Sequence, residues 1–149
     1  MKLYLAYGSN LNKMQMAHRC PDAVPVGKTK IPGYQLVFRR GVLTIERSPG
    51  SSVPAGLWRI SDNDEKNLDR YEGYPRFYFK QSFPIVLNGQ IKEAMAYIMA
   101  SGYPIQRASR SYLQTVGDGY RDFGIDPEPL IDADLEAYDK TRRNRYDEA

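Results

Sequence analysis

Asn88-Gly89 lies between two strand-like runs, residues 78–87 and 91–99, and it constrains folding more tightly than any other stretch of the chain. Both residues tolerate the positive φ of a two-residue hairpin turn, so the runs are expected to pair antiparallel. Pro84 inside the first run cannot donate to a ladder, which predicts an edge position or a bulge there. Further strand signals fall at residues 3–7, 34–39 and 55–60. "RSPGSSVP", residues 47–54, reads as a surface loop.

Four helices are expected. One covers about 12–20 and stops at Pro21. A second starts at Asp62 with Glu65 as the partner of a capping box, runs through Leu68 and Tyr71, and ends at Gly73. A third covers about 109–116, and a fourth runs from 132 or 133 to about 143. Strands dominate and most neighbouring ones look antiparallel, so the class is α+β, with a mixed, mostly antiparallel curled sheet or small barrel and a few flanking helices. Periodicity alone does not distinguish an open sheet from a small barrel. With 149 residues and no repeat or linker, the chain reads as one domain, residues 1–149, with a C-terminal helix and charged tail over about 130–149.

A net charge of +3, with acids interleaved among the bases of "DKTRRNRYDEA", calls for neither a nucleic acid nor an anionic membrane. A rival reading, stacking tyrosines plus phosphate contacts by Lys140–Tyr146, is weakened by the same interleaving. No apolar run approaches the ~20 residues that span a bilayer. The start lacks the apolar core and cleavage site of a secretory signal, and Cys20 is the one cysteine, so a reducing, cytoplasmic setting is expected. No cluster has metal-ligand spacing, and no metal is expected.

His18 is the one histidine, and nothing in the sequence places a nucleophile and an acid beside it. It reads as a surface or half-buried helix residue. Cys20, two positions on, faces elsewhere and reads as a small core residue. Glu72 stands out by context. It ends a helix, where the macrodipole is already negative, next to Tyr71, Tyr74 and Phe77. Desolvation there raises a carboxyl pKa towards the range of a general acid/base, unless Glu72 is simply an exposed last-turn residue. The loop Tyr7-Gly8-Ser9-Asn10-Leu11 also has two readings. It is either ordinary N-cap chemistry after a strand, or a cradle of N–H groups for a carboxylate, phosphate or oxyanion.

Taken in order, several stretches resemble the γ-glutamylcyclotransferase-like family. They are Tyr7-Gly8-Ser9-Asn10-Leu11, Arg19 before Pro21, Val53-Pro54-Ala55-Gly56-Leu57, and Leu68-Asp69-Arg70-Tyr71-Glu72-Gly73. Tyr78, Tyr97 and "SRSYLQTVGDGYRDFGI" follow. The resemblance implies a compact mixed barrel with a few helices, and a pocket lined by Tyr7, Gly8, Ser9, Asn10 and Leu11 with Tyr78, facing Glu72. It implies intramolecular aminolysis of a γ-glutamyl compound to 5-oxoproline, with Glu72 as base and then acid, and no cofactor. The loop differs from the Tyr-Gly-Ser-Leu type of the glutathione-specific branch. A γ-glutamyl amino acid or amine is therefore the expected small-molecule substrate. A non-catalytic binding module with the same pocket is the alternative.

Overall fold

Strand β1 (Lys2–Ala6) buries Tyr4, Leu5 and Ala6 and takes the middle of a five-stranded sheet. The computed structural model describes residues 1–147, with side chains through Arg142. The other strands are β2 (Val24–Arg39), β3 (Val42–Ile60), β4 (Tyr78–Leu87) and β5 (Gln90–Met99), in the order β2-β3-β1-β5-β4. Asn88 and Gly89 take φ of 51° and 75°, as the hairpin reading requires. Pro84 sits on the outermost strand, as expected. Because that arm takes the edge, the hairpin docks through β5, which runs parallel to β1 with Tyr4 opposite Met95. That one parallel seam makes the sheet mixed and mostly antiparallel, as expected; β1 pairs antiparallel with β3 from Lys2↔Ile60 to Ala6↔Gly56.

Strands β2 and β3 form one long ribbon that turns at Arg40-Gly41. The loop expected over 47–54 is mostly strand. Regular pairing stops at Tyr34↔Arg47 and resumes at Pro32↔Ser52, so the irregular part is a bulge opposite Gly33. Pro49 removes a ladder donor there, Gly50 takes φ 85°, and the Ser48 and Ser51 hydroxyls bond each other at 3.0 Å. The Gln81 amide donates to the Tyr34 hydroxyl at 3.1 Å, and the Phe83 ring meets Tyr34 edge-on. The two edge strands thus approach through side chains, and the sheet curls towards a barrel around its apolar core.

Helix α1 (Lys13–Arg19) is capped by Asn12, whose Oδ1 accepts from the Gln15 N–H. Helix α2 (Asp62–Glu72) starts at Asp62 as expected, but its capping box lies one residue earlier: Ser61 is the cap and Asp64, not Glu65, completes the box. Glu65 is thereby free to bridge Lys2 and Lys80. Gly73, at φ 67°, ends the helix as expected, leaving Glu72 as its last residue. Helix α3 (Arg110–Asp122) runs past the expected stop at 116, through two glycines. A Cβ on Gly119 would lie 2.7 Å from the Leu11–Asn12 backbone, so this glycine lets α3 pack onto the opening loop. Helix α4 (Glu128–Asp147) begins before residue 132, with Pro129 tolerated in its first turn. It buries Leu130, Ala133 and Ala137, in contact with β2. The expected tail falls partly outside the described residues. Among those described, no helix is long and apolar enough to cross a membrane.

Candidate active site

After Ala6 the chain bends at Tyr7-Gly8 into a single 3₁₀ turn, Ser9–Leu11. The Leu11 N–H donates to Gly8 O and the Asn12 N–H to Ser9 O, both at 3.0 Å. The Leu11 side chain is wholly buried beside Gly56 and Gly119, where an added Cβ would come within 2.7 Å of it. Leu11 therefore anchors the loop from the core and does not line the cavity. The Ser9 and Asn10 N–H groups open the turn and have no acceptor inside it. Gly8 has φ −124°, so no left-handed backbone calls for glycine there. What it provides is room: a Cβ there would sit 3.1 Å from the Tyr112 hydroxyl.

Tyr7, Gly8, Ser9, Asn10, Glu72 and Tyr78 all border one cavity of about 230 Å³. Asn10 organises it. Its Nδ2 donates to Glu72 Oε1 at 3.0 Å and to the Tyr4 hydroxyl at 2.8 Å. Arg19 donates to Asn10 Oδ1, which sets the amide with its NH₂ towards the carboxylate. The Arg19 guanidinium lies 3.5 Å from the Tyr71 ring centroid and donates its second nitrogen to Gln15 at 2.7 Å. Burial pushes the Glu72 carboxyl up to about 7, and outweighs the opposing pull of Arg19 and of the Asn10 bond.

Of the aromatic residues nearest in sequence, Tyr71 and Phe77 border the cavity with Glu72, and Tyr74 does not. Tyr74 is exposed, with the Lys80 ammonium over its ring. Tyr4, Tyr7, Tyr78 and Tyr112, distant in sequence, also line the cavity around the carboxylate. Burial raises the pKa of each phenol, and the Glu72 charge raises it further. These phenols are neutral at ordinary pH, so each has one proton to donate. Tyr7 gives its proton to Tyr97 O, and Tyr78 to Leu43 O at 2.7 Å. Tyr112 accepts from the Leu43 N–H at 3.1 Å, and Tyr4 accepts from Asn10, so both keep their protons for a ligand. Tyr7 and Tyr78, expected as substrate contacts, can offer ring faces and lone pairs but no free O–H.

Sequence reasoning missed Tyr4 and Tyr112 as cavity residues. Tyr112 had a local signal, since Ser109 caps α3 and accepts from the Tyr112 N–H, which turns residue 112 into the first helical turn. Tyr4 had none beyond its place on β1. The position of α2 is held by charges on its outer side. Lys80 joins Glu65 at 2.8 Å and Asp69 at 3.0 Å, Lys2 joins Glu65 at 2.7 Å, and the Tyr97 hydroxyl donates to Asp69 at 2.6 Å. His18 is exposed and Cys20 is buried, its thiol pushed up to about 12 mainly by burial. A larger groove of about 740 Å³ lies between the β2–β3 ribbon and α4, but none of the buried polar residues borders it.

Comparison with known proteins identifies the family to which this chain and its curled mixed sheet belong. Residues 4–118 match the family model "Gamma-glutamyl cyclotransferase, AIG2-like", and the chain belongs to that family. It is 32% identical over 82 residues to a bovine gamma-glutamylcyclotransferase, covering 48% of this chain and 44% of the bovine protein. The human protein of that name is 30% identical over the same length. The matched segment thus spans under half the length of these relatives. Among solved structures, a gamma-glutamyl cyclotransferase superposes with TM-score 0.74 at 23% identity, covering 85% of this chain and 82% of that one. YkqA of Bacillus subtilis gives the same TM-score at 19% identity, covering 92% of this chain and 54% of YkqA. These two likenesses bear on the fold, which they share with this chain.

Proposed function

We infer that the protein cyclises a γ-glutamyl compound to 5-oxoproline and releases the amine, with Glu72 as general base and then general acid. The observation that carries this reading is the Glu72 carboxyl, raised to about 7 inside a cavity of amino-acid size. At neutral pH such a group is poised between its two forms, so it can take a proton and return it.

The substrate's α-ammonium must lose a proton before its nitrogen can attack. Glu72 accepts that proton. The nitrogen then bonds to the γ-carbonyl carbon, and the carbonyl electrons move onto oxygen. As the tetrahedral intermediate collapses, the original C–N bond breaks and Glu72 returns the proton to the departing nitrogen; the ring nitrogen then gives up its second proton through Glu72 to the released amine, which leaves as the ammonium. Atoms and charge balance with no further reagent. Asn10 holds the carboxylate in place through its 3.0 Å bond, and Arg19 holds Asn10. The free donors around the cavity are the Tyr4 and Tyr112 hydroxyls and the Ser9 and Asn10 N–H groups. They suit the substrate's α-carboxylate and the developing oxyanion. Enclosure by phenol rings favours the folded, ring-ready conformer of the glutamyl chain.

The test is incubation with γ-glutamyl amino acids, γ-glutamyl amines and glutathione, with 5-oxoproline detected by mass spectrometry. Release by the wild type and its loss in Glu72→Gln is the expected result. Silence across the set from a folded protein, with γ-glutamyl ligands still bound, would make the cavity a binding site and Glu72 a ligand contact.

A further inference from the structure

The cavity accounts for only half of a γ-glutamyl substrate. At about 230 Å³ it falls below the ~300–1,000 Å³ that encloses a drug-sized ligand, so it has room for one amino-acid unit. The amine half must project outwards. Tyr71, Val42 and Phe77 are more exposed than most of the lining, so they mark the mouth. No lysine or arginine borders the cavity itself.

Two arginines flank this mouth, and they differ in what they hold. Arg19 lies over Tyr71, with its nitrogens committed to Asn10 and Gln15. Arg40 lies over Phe77, 5.0 Å from the ring centroid, and 5.4 Å from that of Tyr103. No carboxylate pairs with Arg40 among the described residues. Its backbone is also unusual. Arg40 and Gly41 take φ of 52° and 77°, a turn that asparagine or glycine fills with less strain, as Asn88 does in the other hairpin. The Arg40 N–H bonds Pro104 O at 3.0 Å, which fixes the turn beside the mouth. The turn alone gives no reason for an arginine.

We propose that Arg40 binds the carboxylate of the departing amino acid, making the substrates γ-glutamyl α-amino acids in preference to neutral γ-glutamyl amines. This rests on the cyclotransferase reading above. An exposed guanidinium flanked by two rings keeps its N–H fork directed while giving up little hydration. A leaving group passing Phe77 brings its carboxylate within reach of that fork.

The experiment compares γ-glutamylalanine with γ-glutamylethylamide, which lacks only the carboxylate, in the wild type, Arg40→Asn and Arg40→Lys. Asparagine suits φ 52°, so Arg40→Asn should fold at least as well, with an unchanged or higher Tm. The wild type is expected to favour γ-glutamylalanine. Arg40→Asn should lose ~10–100-fold in kcat/KM on it, mostly through KM, the scale of a charge-assisted hydrogen bond. Turnover of the ethylamide should stay within about twofold of wild type, and Arg40→Lys should restore part of the preference. Equal wild-type turnover of both compounds, or an equal fall on both in Arg40→Asn, overturns the Arg40 assignment and leaves the cyclotransferase reading standing. The second result would make Arg40 a structural clamp on Phe77 and Tyr103. No turnover of either compound by the wild type overturns both.

Discussion

The groove beside α4, at about 740 Å³, has some three times the volume of the tyrosine-lined cavity at about 230 Å³, yet the smaller space is where we propose the chemistry occurs. In the groove, Lys28 and Lys30 face Asp126, Glu128, Asp132 and Glu136 across an open surface. Such charges are solvated and mutually screened. In the cavity, one carboxylate is enclosed by phenols, and its neighbours cannot offset the cost of desolvation. Size measures how much ligand a surface could touch. Reactivity follows from what has been removed from water.

Substitutions at Glu72 and in the groove break this comparison most directly. Glu72→Gln is nearly isosteric and should cost at least ~10²-fold in 5-oxoproline release, the scale of general acid–base catalysis. Asp132→Ala and Glu136→Ala in the groove should leave turnover within about twofold of wild type. A reversed pattern in the same assay would move the active site to α4.

Tyr112→Phe removes a free phenol proton but keeps the ring, and should lower kcat by ~10-fold. Gly8→Val should have a similar effect with little loss of Tm, because its side chain would displace that same hydroxyl. Tyr78→Phe is the contrast, since the Tyr78 proton goes to Leu43 O. It should cost stability more than rate, and thermal melts run beside steady-state kinetics separate the two effects.

The pH profile sharpens the comparison further. In the proposed reaction the base form of Glu72 acts first, so kcat/KM should fall about tenfold per unit below pH about 7. Asn10→Ala removes a bond that favours the charged form and should shift this limb to higher pH.

Stability should show the opposite sign. The folded carboxyl titrates near 7 and the unfolded one near its ordinary 4.5, so the folded state binds the extra proton between those values. Stability from this group is complete below about pH 4.5 and is lost as pH rises through 7. Ionised Glu72 thus costs the fold up to about 3 kcal/mol at pH 8. Glu72→Gln should recover much of that at pH 8 and gain little at pH 4.5, as read from denaturant melts. Equal stability at both pH values would show that Glu72 is solvated.

Much of the scaffold could be read along the chain because its signals act within a few residues. Asn88-Gly89 set a hairpin, Pro84 marked an edge, and Gly73 stopped α2 one residue after Glu72. Errors arose where distant packing overruled local composition. The Ser-Pro-Gly stretch over 47–54 looked like a loop, but pairing with β2 carries β3 through it with one bulge. Helix α3 runs on through Gly119 because the opening loop packs against it there, while Gly117 has open space beside it. Of the site residues expected, Glu72 and Tyr7 to Asn10 with Tyr78 meet at one cavity, whereas Leu11 belongs to the core.

The sequence by itself determined where the chain turns and that a carboxylate ends α2, at the negative end of the helix macrodipole. Backbone sterics and capping need only near neighbours, and those are written in order. Only the tertiary structure decided that Tyr4 and Tyr112 keep free protons, that Asn10 turns its NH₂ to Glu72, and that Arg40 stands over Phe77. Desolvation and hydrogen-bond partnership depend on atoms brought together from β1, β3, α2 and α3, and no local stretch of the chain contains them all.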